Sequence, residues 1–179
     1  MSLTDNSYLI RDCNIPIKTG ALDDTQNAIN RYEPEILEFL LGYALAKLVL
    51  AYANPGSDQR IIDIVEGKEY LQGTRTVHWN GLVNTEKVSI CTYYIYIEYL
   101  KDKSLNFQNV GVIESMVENG VNVGPSALIQ RASLSLRQLA GYYGQDVYAP
   151  SLFNFLRAHE SDYPELIWNS YRPVNALGI

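Results

Sequence analysis

The sequence is poor in the residues that carry chemistry. It holds two cysteines, Cys13 and Cys91, and two histidines, His78 and His159, in 179 residues. Two scattered thiols build no disulfide framework and point to a reducing compartment. Cys91 lies in an apolar run and reads as a small core residue. Zinc needs three or four N, S or O ligands, which two distant histidines and two distant cysteines do not supply. His159-Glu160 looks like the start of a zinc helix motif, but Tyr163 stands in the region where a second histidine is needed. His78 is expected in a hydrogen-bonded structural seat. Neither a metal nor any other cofactor is expected.

Basic residues are also few. Fourteen Lys and Arg face twenty Asp and Glu, giving a net charge of −6, and no basic run is present. Nucleic-acid binding needs clustered cations that displace counterions, so none is expected. The first six residues show no basic stretch leading into an apolar one, which argues against a secretory signal. One long apolar run exists, 36–53. It contains Glu38 and Lys47, is barely about 18 residues long and lacks basic flanks. A buried helix accounts for it better than a membrane span, and no membrane association is expected.

Catalytic motifs are missing as well. Gly124-Pro125-Ser126 and Gly56-Ser57 do not match a nucleophile elbow, no phosphate-binding loop is present, and Gly141 and Gly144 read as a helix end. The acid pairs Asp23-Asp24 and Glu33/Glu35 read as exposed charges rather than an acid–base couple. The expectation is a chain that is not an enzyme, with no catalytic residue.

What the chain does have is packing residues. At 47% hydrophobic and 19% charged it is an ordinary globular composition, and its length suits a single domain over 1–179. Residues 1–30 read as an extended arm, in which Tyr8-Leu9-Ile10 and Ile15-Pro16-Ile17 are apolar enough to dock. A helix is expected over 33–53, with Pro34 in its first turn and small residues such as Gly42 for close approach. A second is expected over 58–71, with Ile61, Ile62, Ile64 and Val65 as its stripe and Asp63 facing water, followed by a loop over 74–84. A third is read over 85–101, although the alternation Tyr94, Tyr96, Glu98 keeps a strand open at 92–100. Asn119-Gly120 signals a β-hairpin or extended loop near 104–124. Two more helices are expected, over 125–143 and from about 151 to 159, before a loose tail at 169–179. The fold class is mainly α, about five helices in a small bundle with that hairpin or loop inserted.

The densest aromatic stretch is 70–100. It carries Trp79-Asn80-Gly81-Leu82 and then Tyr93, Tyr94, Tyr96 and Tyr99. Such side chains pair a large apolar face with a polar tip, which suits cores and protein interfaces. Trp79, Tyr93, Tyr96 and Tyr99 are therefore candidate interface residues. Phe107, Val112, Met116 and Val121 from the 104–124 segment join them.

Three features together resemble the helical head–tail connector proteins of tailed phages, and more narrowly a set of uncharacterised phage and prophage proteins of Bacteroidetes. The first is the apolar helix at 36–53 with the short helix at 60–71. The second is Trp79-Asn80-Gly81-Leu82 with the tyrosine-rich run 93–99. The third is Gly111-Val112 before the 125–143 helix, then Ser151-Leu152-Phe153-Asn154-Phe155-Leu156 leading to Tyr163-Pro164. The likeness spans roughly 30–168 and consists of packing patterns. It implies a structural virion protein, a connector, adaptor or head-completion protein forming a ring on the portal. Its partners would be copies of itself and portal, tail or neck proteins, in the virion and in the host cytoplasm during assembly. It also implies that DNA passes through the ring, which an acidic lumen would suit. Two other classes compete: a ligand-binding or enzymatic helical domain with a pocket near His78, Trp79 and the tyrosines, and a host regulatory protein that binds through its aromatic surface.

Overall fold

The computed structural model describes residues 2–15, 21–52, 56–110, 125–141 and 146–167, with backbone alone at 21–22 and 104–110. Among them the chain forms six α-helices and one antiparallel hairpin. The order is α1 (Ala21–Leu41), α2 (Tyr43–Leu50), α3 (Gln59–Glu66), β1 (Lys68–Gln72), β2 (Arg75–Trp79), α4 (Ile90–Val110), α5 (Pro125–Ala140) and α6 (Leu152–Ala158). The mainly helical class with a small hairpin is as expected.

Helix α4 is the centre of the bundle and packs against both α1 and α5. Its buried residues Ile90, Cys91, Tyr93, Ile95, Tyr96 and Ile97 occupy nearly the whole circumference, which is why the segment reads ambiguously. An element buried on several sides loses its period. The strand alternative at 92–100 is thereby closed: the segment is helix. The helix begins at Ile90 rather than 85, where the Ser89 hydroxyl accepts the Cys91 N–H at 3.3 Å. It runs on to Val110, so 104–110 form neither strand nor loop, and 111–124 lie outside the described residues.

The N-terminal half departs most from expectation. The arm is not extended. Residues 2–15 fold into two short 3-10 turns, Asn6–Tyr8 and Arg11–Cys13, that bury Tyr8, Leu9, Cys13 and Ile15 while Ile10 stays exposed. Helix α1 then starts at Ala21, twelve residues before Glu33, and Pro34 lies inside it. Proline removes one helical hydrogen bond, and the carbonyl thereby freed belongs to Asn30, an exposed residue that water can reach. The helix stops at Gly42, not at 53. Gly42 adopts φ +76°, its N–H closes α1 on the Glu38 carbonyl at 3.0 Å, and its carbonyl opens α2 by accepting the Ala46 N–H at 3.0 Å.

The 58–71 expectation holds only for its first half. Asp58 caps α3 by accepting the Arg60 N–H, and Ile61, Ile64 and Val65 are buried as expected. Asp63 is buried rather than water-facing, held by Lys68 Nζ at 2.6 Å and Gln59 Nε2 at 2.8 Å. Gly67 then turns left-handed, at φ +94°, and the chain enters the hairpin. The register Tyr70↔Val77 and Lys68↔Trp79 places Tyr70, Val77 and Trp79 on one buried face. The hairpin is thus at 68–79. The base of the hairpin crosses the end of α3, where Leu82 and Val83 donate to the Ile64 and Val65 carbonyls at 3.3 and 2.8 Å.

Helix α5 ends at Ala140, with Gly141 at φ +82°, three residues short of the expected end. Helix α6 is capped by Ser151, whose hydroxyl accepts the Asn154 N–H. The following 160–166 segment is pinned to α3. Arg60 makes a two-pronged contact with Glu165 at 2.6 and 2.8 Å, and the Tyr163 hydroxyl donates to the Arg60 carbonyl at 2.9 Å. The expected loose tail, 169–179, falls outside the described residues.

Candidate functional site

The aromatic residues proposed for contact are mostly core. Trp79 is 1% exposed, donates from Nε1 to the Ile64 carbonyl at 3.0 Å, and stacks on Phe155 with ring centres 6.2 Å apart. Tyr93 and Tyr96 are buried against the N-terminal turns and α5, and the Tyr93 hydroxyl is bonded to Ser135. These three give their apolar faces to the chain's own interior. No side-chain placement is described for Phe107, and Val112, Met116 and Val121 lie outside the described residues.

Tyr99 does reach the surface. With Tyr32, Asp24, Arg31, Asp102 and Lys103 it lines an open cleft of about 210 Å³ between α1 and α4. The charges there are already matched. Lys103 Nζ meets Asp24 at 2.8 Å, the Tyr32 hydroxyl donates to Asp102 at 2.5 Å, and the Arg31 guanidinium lies over the Tyr32 ring. Burial, helped by the Asp102 bond, pushes the Tyr32 hydroxyl up to about 12, so it stays a proton donor. The cleft is a set of closed ion pairs at the helix seam.

The histidines and thiols offer no better chemistry. His78 stands exposed on β2 opposite Glu69 rather than in a hydrogen-bonded seat. His159 is half-buried, with Nδ1 3.0 Å from the Phe155 carbonyl and its ring against Tyr70 and Phe155. Burial pushes the Cys13 thiol up to about 12 and raises Cys91 as well, which keeps both as poor nucleophiles. No group of three His, Cys, Asp or Glu side chains converges on a metal site among the described residues. None of the described helices is long and apolar enough to cross a membrane.

Glu33, read from sequence as an exposed charge, is fully buried. Its carboxylate accepts the Leu3 N–H at 2.7 Å, the Thr4 N–H at 2.8 Å and the Thr4 hydroxyl at 2.6 Å. Burial outweighs these bonds and raises its pKa. Its role is to clasp the N-terminal turns to α1. Glu35 is exposed, as expected, and takes the Tyr94 hydroxyl at 2.6 Å.

The surface feature that remains is apolar. Around the Gly42 break stand Phe39, 49% exposed, Tyr43, 66%, and Ile167, 59%, with Leu48, 39%, farther along α2. A Cβ placed on Gly42 would lie 3.3 Å from that of Ile167, so the C-terminal segment abuts the break directly. None of these four was singled out from sequence. The signal was present in α2, where Lys47 is the single charge in eight residues. A short helix that apolar cannot hide its whole circumference once Gly42 frees it from α1. This face is the candidate contact site.

Comparison of the chain with protein-family models, with curated proteins and with solved structures finds no match.

Proposed function

We propose that this chain is a structural virion protein of the head–tail connector class, an adaptor or head-completion protein that assembles as a ring on the portal. The observation that carries the reading is the apolar face around Gly42, on a bundle whose α1–α4 cleft is closed by ion pairs and whose two cysteines are buried. An exposed apolar surface of this kind suits a protein that works by occupying a place between others. The mainly helical bundle supports the reading at the level of fold class alone: the helix expected over 36–53 breaks at Gly42, and the one expected over 60–71 ends at Glu66. In this reading the chain is not an enzyme. Its partners are further copies and the portal, tail or neck proteins, and it resides in the virion after assembly in the host cytoplasm. The net charge of −6 suits a lumen that lets DNA pass without holding it.

A ligand pocket beside Trp79 is the weaker reading, because the indole is stacked on Phe155 and bonded to Ile64 in a filled core. Quantitative peptide mass spectrometry on purified phage particles tests the connector role. The expected result is this chain at a low, ring-like copy number relative to the major capsid protein. Its presence in the lysate and absence from complete particles would remove the role.

A further inference from the structure

Residues 2–15 are tied to the bundle through side chains. Their backbone bonds close within the segment, as between the Tyr8 N–H and the Asp5 carbonyl at 3.0 Å and between the Cys13 N–H and the Ile10 carbonyl at 3.0 Å. Among the described residues, no backbone–backbone bond crosses from this segment to a helix or to the hairpin. Three side-chain links do cross. Glu33 on α1 takes the Leu3 and Thr4 N–H groups and the Thr4 hydroxyl. Thr25, also on α1, donates to the Asn6 side chain at 2.7 Å. The Tyr8 hydroxyl meets the Asn84 backbone, 3.2 Å from its nitrogen and 3.3 Å from its carbonyl oxygen. Tyr8, Leu9, Cys13 and Ile15 supply the apolar contact, and the Arg11–Cys13 turn lies against α4 near Tyr93 and Tyr96.

Glu33 differs from the other two links. It is a fully buried carboxyl, and among the described residues no Lys, Arg or His forms an ion pair with it. Its titratable or charged neighbours are the Tyr8 hydroxyl from the Asn6–Tyr8 turn, the Cys91 thiol from α4, and the α-amino group, which favours the carboxylate weakly. Burial raises both the hydroxyl and the thiol, so neither carries charge near neutral pH. Closing the segment therefore takes a carboxylate out of water with no side-chain cation beside it, which opposes closure.

From this arrangement we propose that residues 2–15 are a strap that lifts from the bundle as one unit, with Glu33 as its latch, and uncovers the surface of α4 at Tyr93 and Tyr96. Segments that few bonds tie to the rest of a fold open locally, at less cost than the whole. Closed, the strap hides apolar surface. Open, it returns the Glu33 carboxylate to water. Protonated Glu33 favours the closed form, because its pKa is raised there. The hold is full below the ordinary 4.5 and weakens as pH rises through the folded value. The strap is a property of the free chain and does not depend on the connector reading.

Hydrogen exchange on the purified full chain, followed residue by residue by NMR and corrected for intrinsic rates, tests it. The expected result is one shared opening constant for Leu3, Thr4, Leu9 and Cys13, about tenfold or more above that of Ile95 and Ile97 in α4. Opening should grow about threefold or more from about pH 5 to about pH 7.5, and Glu33→Gln should abolish that dependence. Thr4→Val removes one bond to the latch and keeps the side chain's shape. It should raise opening about threefold or more at Cys13 as well as at Thr4. Alkylation of Cys13 by iodoacetamide, normalised to the urea-unfolded chain at the same pH, should rise by the same factors. Strap amides that exchange no faster than α4 would show opening only with the whole fold, and overturn the inference. A Thr4→Val effect confined to residues 3 and 4 would mean fraying rather than a unit, and also overturns it. A pH dependence that survives in Glu33→Gln removes Glu33 as the latch.

Discussion

Replacing Gly81 by alanine tests how α3 and the hairpin are joined. Gly67 and Gly81 face each other where the end of α3 crosses the base of the hairpin. A Cβ on Gly81 would sit 2.5 Å from the Val65 carbonyl oxygen and 2.6 Å from the Gly67 nitrogen; one on Gly67 would sit 2.3 Å from the Trp79 carbonyl oxygen. These are backbone atoms, which cannot swing aside as a side chain can. They are also tied, by Val83 N–H to the Val65 carbonyl at 2.8 Å and by the Trp79 indole to the Ile64 carbonyl at 3.0 Å. Three costs combine at Gly81. Its φ of +79° is left-handed, which costs an L-residue about 1–2 kcal/mol. Overpacking adds about 1–3 kcal/mol. Lengthening one or two crossing hydrogen bonds adds about 1 kcal/mol each. The sum is about 3–7 kcal/mol, a large part of a typical domain's 5–15. Gly73, in the hairpin turn, is the internal control: its φ is +61°, but its nearest neighbour is the Tyr148 hydroxyl at 3.7 Å. Gly73→Ala should carry the conformational term alone, about 1–2 kcal/mol. Urea unfolding followed by circular dichroism measures both. Equal losses for the two variants would refute the close backbone crossing.

Other expected outcomes concern buried polar groups and the C-terminal clamp. Glu33→Gln removes one of the two acceptor oxygens and turns an amide toward a backbone N–H, so it should cost about 1–3 kcal/mol at neutral pH and speed hydrogen exchange at Leu3 and Thr4. Because burial raises the Glu33 pKa, its contribution to stability is fully present below the ordinary 4.5 and is lost as pH rises through the folded value. Wild type should therefore gain on Glu33→Gln in urea titrations as pH falls from neutral toward 4.5. The Tyr70 hydroxyl is buried with no hydrogen-bond partner, so Tyr70→Phe should be neutral or stabilising by up to about 1 kcal/mol in the same assay. Arg60→Lys keeps the charge but loses the fork on Glu165, and should loosen 160–166 in hydrogen exchange while changing global stability by less than about 1 kcal/mol.

The parts of the fold legible in the sequence are those where one physical rule acts alone. Helix α5 shows a clean apolar spacing through Ile129, Ala132, Leu136 and Ala140, and both its start at Pro125 and most of its span are readable. The hairpin at 68–79 is not, because Lys68 to Gln72 also suits a helix and continues the stripe of α3. The decision to leave the helix is made by Gly67, whose meaning comes from the close passage of Gly81, fourteen residues on. Pro34 misplaces the start of α1 for a similar reason: a proline fits a first turn locally, while here the helix tolerates it because the affected carbonyl lies on an exposed residue.

The contact site was hidden by the opposite problem. Aromatic content marks both cores and interfaces, and a single sequence gives no means of dividing Trp79, Tyr93 and Tyr96 from Tyr43 and Phe39. The division is made by tertiary position. Helix α4 sits between two helices and takes Tyr93 and Tyr96 inside, whereas Gly42 turns α2 away from the line of α1 and leaves Tyr43 and Leu48 outside. Glu33 and Glu38 make the same point with charge. They lie five residues apart on one helix, and only the docking of Leu3 and Thr4 makes one a buried clasp and leaves the other a surface anion. Amino-acid type therefore indicates which residues are able to form contacts, and the packing of α1, α2 and the N-terminal turns decides which of them remain open to a partner.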